Sequence, residues 1–248
     1  MKLRTPVLGA ILLAASCLSY AAGQTHWEYE GHGGTEHWGD LDPAFTTCKT
    51  GKEQSPINIT TAKKSADLKP IAFAYTPSAA EVVNNGHTIQ VNLTNGGSIK
   101  LGQDEFKLLQ FHFHTPSEEQ IDGKSFPLVA HLVHKSADGQ LAVVAVLFTL
   151  GKENAALKNV FNTIPAQGGT SKPLAGNFNA SDLLPQDQAY YAFKGSLTTP
   201  PCSEGVRWQV LKQTQDISVE QFAAFKGPYP LNARPVQPLH GRKVQSSN

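Results

Sequence analysis

The chain has 248 residues, of which 40% are hydrophobic and 17% charged, so it is long enough to bury a sizeable core. Its 21 basic and 20 acidic side chains nearly balance and form no charged run, which excludes an obvious nucleic-acid-binding or membrane-surface protein. The 16 prolines and 21 glycines are scattered among short apolar runs, a composition that favours a loop-rich, mainly β protein over a helical bundle.

The first 23 residues have the pattern of a secretory signal peptide. Lys2 and Arg4 precede an apolar run over 7–15, which is too short to span a bilayer. The small residues after this run predict cleavage near Ala21–Gly23. Processing as a lipoprotein at Cys17 is the alternative, although the residues before this cysteine fit that signal only loosely.

Export also decides the expected state of the cysteines. Once Cys17 is removed with the signal peptide, Cys48 and Cys202 remain as an even pair in an oxidising compartment. We therefore predict a disulfide between them, with two free buried thiols as the alternative. Residues 25–240 contain no internal repeat, low-complexity segment or linker, so the mature chain, 24–248, is expected to be a single domain that is periplasmic or secreted.

Apolar patterning along the chain predicts the elements of a mainly β (α+β) fold. The candidate strands, in chain order, are 82–93, 105–114, 127–134 and 141–150. The last is a continuous apolar run, as expected for a central strand. Helices are expected to be short, because apolar residues recur at helical spacing only over 153–164, and Ser218 with Gln221 forms a capping-box pattern that opens another. We expect a large, mostly antiparallel central sheet with short peripheral helices.

Two histidines lie on the predicted strand 105–114. Because side chains alternate along a strand, Gln110, His112 and His114 share one face, while the phenylalanines between and before the histidines share the other. The phenylalanines suit the core, so the imidazoles face a different environment. Gln110 lies two residues before His112 on its own face, and its amide oxygen is a candidate acceptor for the second ring N–H of that histidine.

A third histidine follows on the next predicted strand. Asp122-Gly123 predicts a two-residue hairpin turn, whose ideal register places His114 opposite His131. Prolines near the turn can shift that register, so the shared face of the three imidazoles is the firmer part of the prediction. Three neutral imidazoles suit Zn²⁺, although cobalt or copper also bind such ligands. Three protein ligands leave a coordination position open, as in a catalytic site on the sheet, and ordinary core or surface histidines are the alternative.

The neighbours of the third histidine indicate a small substrate. Val133 follows His131 by two residues on the same face, so the metal would look onto an apolar wall. Such a wall suits a small, weakly polar substrate. His134 points to the opposite face and is expected to be a hydrogen-bonded structural histidine.

Several motifs together resemble the α-class carbonic anhydrases of the bacterial exported type, over nearly the whole predicted mature chain. The matching stretches are His26-Trp27-Glu28-Tyr29, Glu36-His37-Trp38, Gln54-Ser55-Pro56-Ile57-Asn58-Ile59, Asn84-Asn85-Gly86-His87, 110–114, 131–134, 196–201 and Arg234-Pro235-Val236-Gln237-Pro238-Leu239. Any one of them alone would be modest evidence, whereas the set is specific.

The resemblance implies an activity and a metal. It implies a zinc lyase, in which Zn²⁺ held by His112, His114 and His131 hydrates carbon dioxide reversibly to bicarbonate and a proton through a zinc-bound hydroxide. Zinc lowers the pKa of a bound water to about 7, a value for which carbonic anhydrase is itself the reference case. His87 resembles the family's proton shuttle, since an imidazole with a pKa near 6.5 matches both the zinc water and buffer. A surface histidine beside a turn is the alternative for His87.

The same resemblance implies roles for residues that would otherwise be unremarkable. Thr198 would accept a hydrogen bond from the hydroxide and donate its own to Glu118, and Thr199 would assist binding. The apolar carbon dioxide pocket would be lined by Val133, Val143, Leu197 and Trp208, which are otherwise ordinary core residues. A disulfide at Cys202 would pin the loop that carries Thr198, and the resemblance also implies a cis bond at Pro200-Pro201.

One position departs from the resemblance. Val129 stands where the family often has a glutamate hydrogen-bonded to the third ligand. A valine cannot accept that bond, so either another acceptor serves His131 or zinc is held less tightly. For His114, the backbone near Asn232 is the candidate acceptor.

The expected ligands are carbon dioxide and bicarbonate, with no nucleic acid, no membrane span, and a monomer or homodimer as the assembly. A non-catalytic binding module related to the same family is one alternative, but such a module would be expected to have lost a ligand histidine. A zinc hydrolase of small esters is another, and the apolar surroundings of the metal and the lack of an anchoring subsite count against it.

Overall fold

The computed structural model describes residues 25–247. The predicted signal peptide, its cleavage site near Ala21–Gly23 and Cys17 lie outside the described residues. Within residues 25–247, none of the helices has the length and apolar character needed to cross a membrane.

Strands dominate the described chain, as the composition predicts. They are β1 (Asn58–Ile59), β2 (Lys63–Lys64), β3 (Ala72–Tyr75), β4 (Ser78–Asn84), β5 (Ile89–Leu93), β6 (Gly97–Leu101), β7 (Asp104–His114), β8 (Gln120–Ile121), β9 (Leu128–Lys135), β10 (Leu141–Leu150), β11 (Thr170–Phe178), β12 (Tyr190–Ser196), β13 (Glu204–Leu211), β14 (Gln215–Ile217) and β15 (Gln245–Ser246). The helices are α1 (Trp38–Leu41), α2 (Thr47–Thr50), α3 (Ala155–Asn162) and α4 (Val219–Lys226), with short 3-10 turns at Gly31–Gly33, Pro43–Phe45 and Ala180–Leu183.

Thirteen strands form one large sheet with β7, β9 and β10 at its centre. The order is β11-β4-β5-β7-β9-β10-β13-β12-β15-β2, with β6 also paired to β7, β3 to β6 and β14 to β10. Most neighbours are antiparallel, as predicted, but β10 runs parallel to β13 and β14, and β15 runs parallel to β2. The sheet is therefore mixed. A separate small sheet pairs β1 with β8 in parallel.

The sheet buries a different set of side chains on each face. The larger apolar cluster takes Phe111 and Phe113 of β7 together with residues of the helices, such as Leu157 of α3 and Phe225 of α4. The smaller cluster lies on the opposite face, the face of the three histidines, and is centred on β9, β10 and β13. The predicted division of β7 into a phenylalanine face and a histidine face is confirmed.

Both longer helices form where the sequence predicts them, although α3 begins at Ala155 rather than at residue 153. Ser218 and Gln221 form the complete capping box of α4, each side chain bonding the other's backbone. The side chain of Asn154 caps α3 by accepting a hydrogen bond from the N–H of Leu157. The helical spacing over 153–164 therefore corresponds to a helix, α3, that is slightly shorter than predicted.

The predicted strand 82–93 is wrong, because it is two strands joined by a turn. The side chain of Asn85 accepts hydrogen bonds from the N–H groups of His87 and Thr88, at 2.9 Å each, which turns the chain back on itself. Gly86 adopts φ +90°, which a glycine reaches without strain. The β4–β5 hairpin therefore carries His87 at its tip rather than inside a strand.

The predicted opposition of His114 and His131 is also wrong, by two residues. In the antiparallel pairing of β7 with β9, His112 lies opposite His131 and His114 lies opposite Val129. The Asp122-Gly123 turn forms, with φ values of 51° and 77°, but it closes a small hairpin within the loop between these strands and does not join them directly. A shift of two residues preserves the face of every side chain, so the three imidazoles still lie together.

The predicted disulfide is present between Cys48 and Cys202, which are 154 residues apart in sequence. It joins α2 to the segment just before β13. The predicted cis bond at Pro200-Pro201 is present next to it.

His134 is the hydrogen-bonded structural histidine that the sequence predicts. It is fully buried on the face away from the other three, and its Nε2 lies 2.8 Å from the Tyr75 hydroxyl. Its Nδ1 lies 3.3 Å from the carbonyl oxygen of Ala142, which can only accept, so Nδ1–H donates there and Nε2 accepts from Tyr75. Burial lowers the pKa of His134 to about 3.

The disulfide should contribute strongly to stability because it closes a long loop. Replacing both cysteines, as Cys48→Ser/Cys202→Ser, is expected to lower the free energy of unfolding by up to about 5 kcal/mol in the chain-entropy model. Denaturant unfolding of the mature protein with and without reductant measures this. Reductant should destabilise the wild type and leave the double serine variant unaffected, and equal stability of the two proteins would contradict the prediction.

The buried His134 should make the protein less stable in mild acid. Between pH 6.5 and the folded-state pKa of about 3, the unfolded state binds a proton that the folded state does not, so stability is lost as pH falls, by up to about 1.4 kcal/mol per pH unit. The variant Tyr75→Phe/His134→Leu removes the pair together and should show a shallower fall, measured by urea unfolding between about pH 6.5 and 4.5. The exposed His32 provides the control His32→Leu, and an unchanged slope in the double variant would contradict the assignment.

Candidate metal centre

The three predicted ligands meet on one face of the central sheet. His112 and His114 alternate with phenylalanines on β7, and His131 lies on β9 directly across from His112. Each ring offers one nitrogen to a common point, and these nitrogens lie within 4.8 Å of one another. His114 and His131 are each only 1% exposed, whereas His112 is half-buried, so the group opens to solvent on the side of His112.

The two β7 ligands are each oriented by an uncharged oxygen. The Nδ1 of His112 lies 2.9 Å from Oε1 of Gln110, as the strand spacing predicts. The Nδ1 of His114 lies 2.6 Å from the backbone oxygen of Asn232, the segment expected to serve it. Because these oxygens accept, each Nδ1 carries the proton and each Nε2 is left with a free lone pair.

The third ligand is oriented by a carboxylate that the sequence prediction did not include. The Nε2 of His131 lies 3.0 Å from Oε1 and 3.1 Å from Oε2 of Glu119, a residue of the loop between β7 and β9. Its Nδ1 is therefore the nitrogen left to face the other two rings. The adjacent acids Glu118 and Glu119 were a signal in the sequence, but the path of the loop decides which one meets the histidine.

The donor set fits a metal ion. The Nε2 of His114 is buried and has no hydrogen-bond partner, as expected of a ring nitrogen that serves as a ligand. Burial lowers the pKa of His112 to about 3 and that of His114 well below its usual value, with the neighbouring histidines adding to both effects. These two rings are therefore neutral imidazoles, the form that binds Zn²⁺.

His131 differs from the other two because carboxylates surround it. Burial acts to lower its pKa, but the charge and hydrogen bond of Glu119 and the charge of Glu118 outweigh this and raise it. A positive charge at this position is therefore favoured, whether it is a proton on His131 or a metal cation beside the ring.

Glu118 lies at the edge of the ligand group, fully buried. Its Oε1 accepts a hydrogen bond of 2.8 Å from the backbone N–H of Arg234. Its Oε2 lies 3.5 Å from Nε2 of His114 and 3.7 Å from Nδ1 of His131. Burial raises the pKa of Glu118 to about 7 against the lowering effects of His131, the Arg234 N–H and the Thr198 hydroxyl.

The loop after β12 brings Thr198 to the site and is held at several points. Thr198 is buried and its neighbours Leu197 and Thr199 are half-buried. The N–H of Leu197 bonds the carbonyl of Ser203 at 3.0 Å, and the N–H of Cys202 bonds the carbonyl of Thr199 at 2.9 Å. The disulfide of Cys202 ties the same loop to α2, so the position of Thr198 is fixed by both backbone and covalent bonds.

An apolar wall stands beside the histidines. Val133, Val143 and Trp208 lie side by side across β9, β10 and β13, and each is at least nine-tenths buried. The half-buried Leu197 packs against the same cluster. The rings of His131 and Trp208 are 4.9 Å apart, so this wall borders the metal ligands directly.

His87 lies at the tip of the β4–β5 hairpin, half-buried. Its ring stacks on that of Trp27, with 3.8 Å between centroids and 8° between planes. Burial and the nearby His26 lower its pKa, while Glu28 acts in the opposite direction. The side chain of Asn232 donates to the backbone oxygen of His87 at 3.1 Å, and the carbonyl of the same residue serves His114, so one asparagine connects the hairpin tip with the ligand group.

The comparisons with known proteins agree with this geometry. A family model described as eukaryotic-type carbonic anhydrase matches residues 33–248. A carbonic anhydrase of Neisseria gonorrhoeae is 47% identical over 245 residues, which cover 96% of this chain and 96% of the relative. One from Pectobacterium atrosepticum is 45% identical over 236 residues, covering 95% of this chain and 96% of the relative.

A solved structure has the same fold. The α-carbonic anhydrase from Thermovibrio ammonificans, in complex with the inhibitor sulfanilamide, superposes with a TM-score of 0.88 at 46% sequence identity. The match covers 90% of this chain and 100% of that one.

Proposed function

The chain belongs to the eukaryotic-type, or α-class, carbonic anhydrase family of carbonate dehydratases, and from this premise we propose that it hydrates carbon dioxide reversibly to bicarbonate and a proton at its three-histidine centre. The observation that carries the proposal is the convergence of three ring nitrogens, on His112, His114 and His131, within 4.8 Å of one another. Three protein ligands suit a catalytic rather than a structural zinc site, because a fourth position stays open.

We propose Zn²⁺ as the metal, held by Nε2 of His112, Nε2 of His114 and Nδ1 of His131. When bound, zinc supplies Lewis acidity that makes water a nucleophile at neutral pH, and carbonic anhydrases are the reference example of this effect. Gln110 and the carbonyl of Asn232 fix the β7 ligands through their other ring nitrogens, which keeps the open position in a constant direction.

The apolar wall is the proposed binding surface for carbon dioxide. Val133, Val143, Leu197 and Trp208 offer it no hydrogen-bond donor that would hold a polar competitor, and the indole N–H of Trp208 is already bonded to the carbonyl of Ser196 at 3.0 Å. A small, linear, weakly polar molecule fits such a surface, and the proposed role of Thr199 is to assist its binding.

Thr198 and Glu118 are the proposed pair that orients the nucleophile. A hydroxyl that donates its one hydrogen bond to a carboxylate has only acceptor capacity left, so Thr198 would accept a hydrogen bond from the attacking water. This directs a lone pair of that water toward the substrate carbon. The bond from the Arg234 N–H to Oε1 of Glu118 supports this role, because it holds the carboxylate in place.

His87 is the proposed carrier of the released proton to buffer. It is half-buried at a hairpin tip, and its lowered pKa favours release of a proton to solvent once one has arrived. The flat stacking on Trp27 gives the ring a defined position. Through Asn232 the hairpin that carries His87 is connected to the ligand group.

We also propose that the mature protein works outside the cytoplasm, in the periplasm or after secretion, as a monomer or homodimer. The disulfide supports export, because such bonds persist in oxidising compartments.

Carbon dioxide hydration should depend on the metal. Stopped-flow measurement with a pH indicator is expected to show fast hydration by the zinc-loaded protein, a loss of at least about 100-fold after chelation, and recovery on adding Zn²⁺. The variant His114→Ala, which removes a ligand, should stay inactive when zinc is added. Hydration that is absent from the loaded protein, or equally fast without metal, would overturn the proposed function.

Loss of His87 should slow turnover only where proton transfer limits it. In weak buffer, His87→Ala is expected to lower kcat by about 10-fold or more, with kcat/KM little changed and with rescue by added imidazole. Stopped-flow kinetics at low and high buffer concentrations separate these cases. The exposed His32 gives the control His32→Ala, and a His87→Ala variant with unchanged kcat in weak buffer would remove His87 from the mechanism.

A further inference from the structure

We propose that Glu119 is a positioning residue of the metal centre, which fixes the ring of His131 from a loop and stands in for a carboxylate at strand position 129. The inference rests on the metal site of the proposed function, but not on the reaction performed there. It concerns how firmly the third ligand is held.

The contacts of Glu119 point to His131 alone. Its Oε2 accepts a hydrogen bond of 3.1 Å from Nε2 of His131. Its Oε1 lies 3.0 Å from the same nitrogen without forming a hydrogen bond, and the side chain is 0% exposed. Within residues 25–247 no lysine or arginine forms an ion pair with Glu119. Since Nε2–H donates to the carboxylate, Nδ1 is the ring nitrogen presented to the other two ligands.

The strand that carries His131 offers no acceptor of its own. Val129 lies two residues earlier on the same face and is fully buried in the apolar cluster. The β7 ligand has the opposite arrangement, because Gln110 reaches His112 from two residues earlier on its own strand, at 2.9 Å. A carboxylate at position 129 would stand in the same relation to His131 as Gln110 does to His112, and this chain has it at Glu119 instead.

Hydrogen bonds hold the peptide group between Glu119 and Gln120. The Ser117 hydroxyl donates to the carbonyl of Glu119 at 2.7 Å and accepts from the N–H of Phe126 at 2.9 Å. The N–H of Gln120, the next residue, bonds the carbonyl of Ile57 at 3.2 Å, within the pairing of β8 with β1. The Glu119 carboxylate therefore projects from a segment whose backbone is held by hydrogen bonds, as a positioning residue requires.

The burial of Glu119 also needs a cationic partner. Burying a carboxylate is costly unless it is paired and hydrogen-bonded. Among the described residues only His131 offers such a bond to the side chain, so the charge is best compensated when His131 holds a cation at its other nitrogen. A metal ion bound at Nδ1 of His131 would supply such a positive charge.

The test is retention of zinc rather than activity. Zinc release from the loaded protein to an excess of a chromogenic chelator is expected to be about 10–100-fold faster from Glu119→Val than from the wild type. Glu119→Gln keeps an acceptor oxygen on a side chain of equal length without the charge, so its rate should fall between the two. If Glu119→Val does not fold, as judged by circular dichroism, Glu119→Gln carries the test. The exposed Glu105 on β7 gives the control Glu105→Gln, which should release zinc at the wild-type rate.

A spectrum separates positioning from a merely structural role. The visible absorption bands of the Co²⁺-loaded protein report the ligand field, so they should shift in Glu119→Gln and stay in place in Glu105→Gln. Zinc release from both Glu119 variants within about twofold of the wild type, or an unshifted Co²⁺ spectrum in Glu119→Gln, would overturn the proposal.

Exchanging the residues at positions 119 and 129 tests directly whether Glu119 replaces a carboxylate at position 129. The double variant Glu119→Val/Val129→Glu has the wild-type composition, and it should release zinc more slowly than Glu119→Val alone. Release as fast as from Glu119→Val would contradict the part of the proposal in which Glu119 replaces a carboxylate at position 129. These measurements do not involve carbon dioxide. A zinc-loaded protein that fails to hydrate carbon dioxide would therefore overturn the proposed function only. The role of Glu119 would still be decided by the rate of zinc release.

Discussion

The antiparallel pairing of β7 with β9 is the constraint on which the rest of the site depends. Along β7 the side chains alternate between phenylalanines that enter the larger core and histidines that face the other way. A slip of one residue would turn the imidazoles into the larger core and the phenylalanine side chains out of it. The apolar core itself therefore enforces the face on which the histidines lie. The stability of the fold and the position of the three histidines therefore have one common cause.

Strand pairing brings the imidazoles together, but segments outside the strands orient them. The carbonyl of Asn232 lies near the C-terminus and serves His114, while Glu119 comes from the loop after β7 and serves His131. Each acceptor bonds one ring nitrogen and leaves the other free for the proposed metal ion. Because buried polar groups require partners, these hydrogen bonds also hold the loops that supply the acceptors.

One buried arginine connects several of these outer segments. The guanidinium of Arg234 donates to the side chain of Gln54 at 2.9 Å and to the carbonyls of Ser55 at 2.8 Å and Cys48 at 3.0 Å. Its backbone N–H holds Glu118, and Cys48 is joined by the disulfide to the loop of Thr198. Burial lowers the pKa of Arg234 to about 10, which still leaves it charged at neutral pH. The disulfide and this arginine together hold Glu118 and the loop of Thr198 in place.

The sequence by itself predicted the class of fold and the shared face of the histidines on β7, because strand alternation and turn residues are local rules. It predicted the disulfide from the even number of cysteines left after export. Alternation along β7 gives the shared face of His112 and His114, and the capping box at Ser218 marks a helix start. The turn at Asp122-Gly123 also forms, but only the tertiary structure decided that it lies inside a longer loop, so that His112 rather than His114 faces His131. Register and loop path depend on contacts between distant segments, which no local pattern contains. For the same reason the sequence did not identify the hydrogen-bond acceptor of His131. The strand supplies only Val129, and the tertiary structure places Glu119 against the ring.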